Sequence, residues 1–340
     1  MVSHKVIVQA NSHLHKVLLN RPKKLNAINQ SMAEEVLSQV SNTDKRLLVS
    51  STCHLALSAG ADLKALAENP ASSYSFCRTV YRMLAETFCL KQDTLSIWEG
   101  HVIGLGYGLG AACKLKVGVE STKWSMPEHL IGLVPNSTAG YFLSKLDPSW
   151  GLYLYLSSCT LKGVDCYKVG LTTHYLEKKH LQEFISRLEN GEDFTRVCDH
   201  FHSEPKEDTF YDKNNEFIQE VFGEAKSIEE VVEKLNRKPT NALAQSTLKV
   251  MEESSPLTLK VAFEGFKKLK NLSYLEAIKH EANIDLKLFT TYRSNIEQAI
   301  LSRIIQKQQT KPIWAPSTLE EVTEAMVKQV IKQDIDILAS

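Results

Sequence analysis

Five of the eleven residues from Gly100 to Gly110 are glycine, at positions 100, 104, 106, 108 and 110. Glycine permits backbone angles and close approaches that a Cβ forbids, so this density marks a strand turning into a helix with its backbone amides exposed. Some twenty residues on come Met126-Pro127-Glu128 and then Gly132-Leu133-Val134-Pro135-Asn136. These short, Pro-braced segments can present a carboxylate and an amide toward the same turn, an arrangement suited to proton transfer. A chain organised around this stretch is expected to be a mixed α/β protein.

At 340 residues with 43% hydrophobic content, the chain can bury one large core, or a core with a helical appendage. Forty basic side chains balance forty acidic ones, which disfavours a strongly electrostatic nucleic-acid binder and points to protein or small-molecule partners. The seven cysteines form no CxxC pair and are odd in number, which fits a reducing compartment; none reads as a metal ligand. No apolar run of about eighteen residues occurs, so no membrane span is expected. The first twenty residues show β-like alternation and lack an Arg-rich amphipathic leader, although that does not exclude an organelle.

In chain order, Lys5–Gln9 and His15–Asn20 read as strands joined by the turn residues Asn11-Ser12. A helix carrying Met32, Val36, Leu37 and Val40 follows, and then a buried strand at Arg46–Ser51. The pattern from Ser72 to Leu90 is helical, with Phe76, Val80, Met83, Leu84 and Phe88 on one face. Residues 190–240 are polar and charge-rich, with an amphipathic helix at Ile228–Leu235. Helices are then expected near Ala242–Glu253, Pro256–Leu269 and Tyr274–Thr291. His174 at a strand end and the His200/His202 pair read more readily as structural groups than as a base or metal ligands.

Several segments carry a resemblance. L-N-R-P-K-K-L-N-A-I (19–28), L-S-A-G-A-D-L-K (57–64), M-P-E-H-L-I-G-L-V-P-N (126–136), L-K-G-V-D-C-Y-K-V-G-L-T-T-H (161–174), S-P-L-T-L-K (255–260) and W-A-P (314–316) together resemble the crotonase (enoyl-CoA hydratase/isomerase) superfamily. Within it the chain is most similar to the 3-hydroxyisobutyryl-CoA hydrolase family. The resemblance implies an α/β crotonase (ClpP/crotonase-like) fold of repeated ββα units over residues 1–240, with a helical C-terminal region at 241–340. It also implies thioester chemistry, in which Ala61 and Leu105 stand where two backbone N–H groups form an oxyanion hole. Glu128 and Asn136 stand at the catalytic carboxylate positions. Lys24, Leu25, Ala59 and Val80 stand at substrate-binding positions, and coenzyme A would enter only as part of the substrate. Neither a metal nor another cofactor is expected.

Three of those positions depart from the family pattern. Leu105 replaces a glycine, Asn136 an aspartate and Val80 a glutamate, so only Glu128 keeps its acid. An amide cannot serve as a general base near neutrality, and a leucine side chain restricts φ and crowds its own N–H. Because scaffold residues are kept while site residues change, the sequence favours a non-catalytic protein of hydrolase descent. The expectation is a mitochondrial matrix protein of the small ribosomal subunit, held mainly by other mitochondrial ribosomal proteins, with limited rRNA contact and no membrane association. The alternative is a working 3-hydroxyisobutyryl-CoA hydrolase with Glu128 acting alone. A hydratase is weaker still, since Gly108 stands where hydratases place a second glutamate.

Overall fold

The computed structural model describes residues 4–68, 73–205, 208–308 and 310–339. The chain forms two compact units that interleave along the sequence. Unit 1 comprises Met1–Asp62, Thr79–Ser125 and Thr160–Lys213, and unit 2 comprises Leu63–Arg78, Met126–Cys159 and Asn214–Ser340. The expected boundary at residue 240 falls in unit 2, between the helices Ile228–Asn236 and Ala242–Glu253.

Among the described residues unit 1 holds ten strands: β1 (Val6–Ala10), β2 (Leu14–Leu19), β3 (Arg46–Ser51), β4 (Ala56–Ser58), β5 (Thr94–Trp98), β6 (His101–Ile103), β7 (Leu115–Val119), β8 (Lys123–Ser125), β9 (Thr160–Lys162) and β10 (His174–Leu176). They form a six-stranded sheet ordered β1-β2-β3-β5-β7-β10 and a four-stranded sheet ordered β4-β6-β8-β9. Consecutive pairs β3/β4, β5/β6 and β7/β8 each give one strand to each sheet, which is the repeated ββα plan read from the sequence. Among the described strand pairs, β1/β2 and β8/β9 run antiparallel and the others parallel. The parallel interior explains why β5 is buried at every residue, since sheets of this kind are covered on both faces.

Local chemistry sets these elements. Asn11 makes the β1–β2 turn by accepting the N–H groups of His13 and Leu14 at 2.8 and 2.9 Å. Helices Leu181–Glu189 and Phe194–Phe201 bring Phe184, Leu188, Phe194 and Val197 onto Leu14, Leu48, Leu95 and Val117 of the six-stranded sheet. The helix over Ser72–Leu90 spans Ser73–Cys89 and buries Phe76, Val80, Met83 and Leu84; Ser72 lies outside the described residues. His174 opens β10 and does not end a strand, and its ring nitrogens meet Thr173 and Asp199 at 2.9 and 3.1 Å.

In unit 2, Pro148–Ser157 is apolar around its whole circumference and is accordingly buried from Ser149 to Ser157. The three C-terminal helices run Ala242–Glu253, Pro256–Leu269 and Tyr274–Thr291, each opened by an Asn or Ser cap, and Ser273 with Glu276 forms a full capping box. Among the described residues no helix is long and apolar enough to cross a membrane. None of the seven cysteines forms a disulfide.

Candidate active site

In unit 1 the two signature loops are tied to each other. Asn26 is fully buried with left-handed backbone at φ 54°, which asparagine tolerates better than most residues. Its amide nitrogen donates to Ser51 Oγ and to the carbonyls of Ala56 and Leu57 at 2.6, 3.0 and 3.1 Å, and its oxygen accepts the Arg21 N–H at 2.7 Å. Arg21 in turn donates to the Ala27 carbonyl and to Asp62. Asp62 therefore acts mainly as an ion-pair partner of Arg21.

This lattice places the expected substrate-binding residues. Lys24 ends the short helix Pro22–Lys24 on the surface, Leu25 follows at φ 47°, and the Leu25 carbonyl accepts the Ala59 N–H at 2.9 Å. Ile28 bridges Ala61 through its neighbours: its N–H donates to the Gly60 carbonyl and its carbonyl accepts the Asp62 N–H, both at 2.8 Å. The Ala61 N–H itself enters no backbone hydrogen bond among the described residues.

The glycine-rich stretch turns from β6 into the helix Leu105–Ala111, as the sequence indicates. Its helix is buried along its full length, so the expected exposure of its amides is not found. The glycine requirement falls on the flanking positions. Gly104 sits at φ 53°, ψ −124°, a region closed to side chains, and a Cβ on Gly106 would lie 2.6 Å from the Ser58 carbonyl. Leu105 needs no unusual φ, which corrects the expected restriction; its side chain is core, 3% exposed. Its N–H, like that of Ala61, has no backbone acceptor among the described residues. Val80 is buried and brings no charge.

In unit 2, Glu128 opens the short helix Glu128–Ile131, which closes on Gly132 at φ 76°. The residue is 8% exposed, and its buried Oε2 has no hydrogen-bond partner among the described residues. Burial pushes it up to about 8; its own backbone N–H opposes this, and the charge on Asp285 adds to it. Asn136 Nδ2 donates to Asp285 Oδ1 at 3.1 Å, so Glu128 and Asn136 converge on the same aspartate. Glu281, one helical turn before Asp285, accepts the N–H groups of Thr138 at 2.7 Å and Tyr141 at 3.1 Å. Burial, reinforced by Asp285, drives Glu281 well above the carboxylate range, although those N–H groups oppose the shift. Tyr155 is pushed up by burial and then by Glu281, Asp285 and Glu128.

Glu281 and Asp285 were not among the sequence candidates. The signal was present: both lie four residues apart on the face of Tyr274–Thr291 that also carries Ala277, Ile278, Ile284 and Leu288, all buried. Two carboxylates on the apolar face of a helix require an explanation that a solvated face would not. Ser137 and Thr138 are also unusual, with successive φ values of 57° and 67°. The Glu281–Thr138 hydrogen bond helps hold that turn.

With this geometry in hand, the comparisons with known proteins are specific. The chain is 27% identical over 345 residues to the mitochondrial 3-hydroxyisobutyryl-CoA hydrolase of Gallus gallus, covering 96% of this chain and 88% of that one. It is 28% identical over 356 residues to the Dictyostelium discoideum enzyme of the same name, covering 97% and 92%. The fold matches the crystal structure of a carnitinyl-CoA dehydratase from Mycobacterium thermoresistibile with a TM-score of 0.89 at 24% identity, over 99% of both chains. An enoyl-CoA hydratase structure from Rhodobacter sphaeroides gives 0.85 at 22% identity, over 96% of this chain and 97% of the other. A family model for enoyl-CoA hydratase/isomerase extends over residues 14–331, and by that near-complete match the chain belongs to the enoyl-CoA hydratase/isomerase family.

Proposed function

We propose that this chain hydrolyses an acyl-CoA thioester, with 3-hydroxyisobutyryl-CoA as the leading substrate and the mitochondrial matrix as its location. The observation that carries the reading is Glu128: a buried carboxyl with an unpartnered oxygen that keeps its proton to about pH 8. Such a group is an acid at neutral pH and can protonate a departing thiolate. The names of the relatives support the substrate and the compartment. The N–H groups of Ala61 and Leu105, both without a backbone acceptor among the described residues, suit the polarisation of a thioester carbonyl. Coenzyme A enters as part of the substrate.

Leu105 is no obstacle to this reading, because the helix places it at ordinary φ with its side chain packed in the core. The sequence leaned instead toward a non-catalytic protein of the mitochondrial small ribosomal subunit. Val80 and Asn136 remain in favour of that second reading, and the relatives favour hydrolysis. Thiol release from 3-hydroxyisobutyryl-CoA by the purified chain separates the two. Turnover supports the hydrolase. Silence from a folded chain that co-sediments with small ribosomal subunits supports the other.

A further inference from the structure

The buried Oε2 of Glu128 meets no hydrogen-bond partner among the described residues, so the aim of that oxygen is set by the backbone that carries it. That backbone is the four-residue helix Glu128–Ile131, whose Pro127 cap makes no side-chain hydrogen bond. So short a turn is not stable by itself and must be held from outside. The residue next to Glu128 supplies the hold.

His129 is fully buried in unit 2. Its Nε2 lies 3.0 Å from the Tyr155 carbonyl, its Nδ1 lies 3.1 Å from Thr258 Oγ1, and its own carbonyl accepts the Ser255 N–H at 3.1 Å. A carbonyl can only accept, so Nε2 carries the ring proton. Burial pulls the ring down to about 4, so the imidazole is neutral and Nδ1 accepts from the Thr258 hydroxyl. Tyr155 belongs to the last turn of Pro148–Ser157, where carbonyls lack a partner inside the helix. Ser255 is the cap of Pro256–Leu269, and Thr258 is its third residue. One imidazole thus ties the end of one helix to the start of another, a single residue away from Glu128.

We propose that His129 is a positioning residue that aims the Glu128 carboxyl; this rests on the hydrolase reading. Adjacent α-carbons are only about 3.8 Å apart, so a shift at His129 is passed on to the acid. A misplacement of about 1 Å costs up to about 100-fold in rate. The ring stays neutral above about pH 4 and moves no proton itself.

The test compares the full chain with His129→Ala, His129→Gln and Thr258→Val by thiol release from 3-hydroxyisobutyryl-CoA across pH, with thermal unfolding as the folding control. His129→Ala is expected to lower kcat about 10- to 100-fold with KM within about threefold. A loosened helix admits water to the carboxyl, so the alkaline limb of kcat, where Glu128 loses its proton, is expected to move to lower pH. A purely structural role would not move that limb. The groups that bear on Glu128 are Asp285 of Tyr274–Thr291 and Tyr155 of Pro148–Ser157, and every variant keeps both. The helix Arg293–Ala299 also packs on Glu128–Ile131, and its Arg293 and Glu297 pair with each other at the surface, 2.6 Å apart.

His129→Gln keeps an amide N–H for the Tyr155 carbonyl and is expected to regain at least about threefold of the lost rate. Thr258→Val removes the partner of Nδ1 and leaves the ring, so kcat is expected to fall about 3- to 10-fold with the limb moved the same way. That variant decides the matter if His129→Ala does not fold. A folded His129→Ala with kcat within threefold of the unmodified chain or an unmoved limb would overturn the inference alone, and so would an unchanged kcat and limb in Thr258→Val. No turnover in the unmodified chain would overturn the hydrolase reading and this inference with it.

Discussion

Arg21 Nη1 lies 2.6 Å from Asp62 Oδ2, and this contact joins the two loops whose sequences most resemble the family. The pair is only partly exposed, at 22% and 13%, and Arg21 also donates to the Ala27 carbonyl. Its role is to hold the strand-like crossing of Ile28 and Ala61, and with it the free N–H of Ala61. The motif residues are thus explained by backbone presentation more than by direct chemistry.

Removing either partner breaks a partly buried ion pair. Arg21→Ala is expected to cost about 1–3 kcal/mol and Asn26→Ala, with four side-chain hydrogen bonds lost, about 2–4 kcal/mol. Urea unfolding with an unchanged m-value is the measurement. A loss below about 0.5 kcal/mol for Asn26→Ala would show that the loops are held by something else.

The glycine stretch gives a contrast between neighbours. Gly106→Ala drives a Cβ into the Ser58 carbonyl and Gly104→Ala demands a backbone region closed to alanine, so each is expected to cost about 1–3 kcal/mol. Leu105→Gly, which restores the family's residue, is expected to destabilise by about 2–4 kcal/mol, because it removes a buried side chain from a helix start. Thermal unfolding of the three variants checks the order. A Leu105→Gly variant more stable than the parent would mean that the leucine is strained.

Much of this was legible in the sequence, for identifiable reasons. The β5–Gly104–helix stretch and the C-terminal helices were readable because glycine density, caps and apolar periodicity act over a few residues. Glu128 and Asn136 were readable because they sit in a short motif. Asp285 was not, since its partner lies 149 positions earlier and only the tertiary fold brings them together. The motif marked position 136, and the carboxylate that meets its side chain comes from a helix that reads as ordinary scaffold.

Buried carboxyls impose a pH signature. Glu128 has a folded value of about 8 against an ordinary 4.5, so the folded state holds the proton more tightly and stability falls as pH rises between those values. His129 and His280, both pushed down to about 4 chiefly by burial, act oppositely between about 4 and 6.5. Between pH 6.5 and 8 the two histidines no longer contribute, and Glu281, whose raised value has the same sign as that of Glu128, is common to parent and variant. There Glu128→Gln is expected to remove about 2 kcal/mol of pH-dependent loss, read from unfolding free energies at the two pH values. Parallel curves for parent and variant would contradict the assignment.

Thr138 carries a β-branched side chain at φ 67°. Thr138→Gly relieves about 1–2 kcal/mol of left-handed strain while removing the weak 3.3 Å hydrogen bond from the Tyr274 hydroxyl. The variant is expected to unfold at the same temperature or a few degrees higher. A drop of several degrees would show that the threonine hydroxyl holds the turn.

The most direct measurement is release of free thiol from 3-hydroxyisobutyryl-CoA by the purified chain, beside Glu128→Gln. The expected result is steady turnover in the parent and a loss of at least about 100-fold in a folded Glu128→Gln, as removal of a general acid requires. A folded parent that releases no thiol, or a Glu128→Gln variant as active as the parent, would contradict the hydrolase reading.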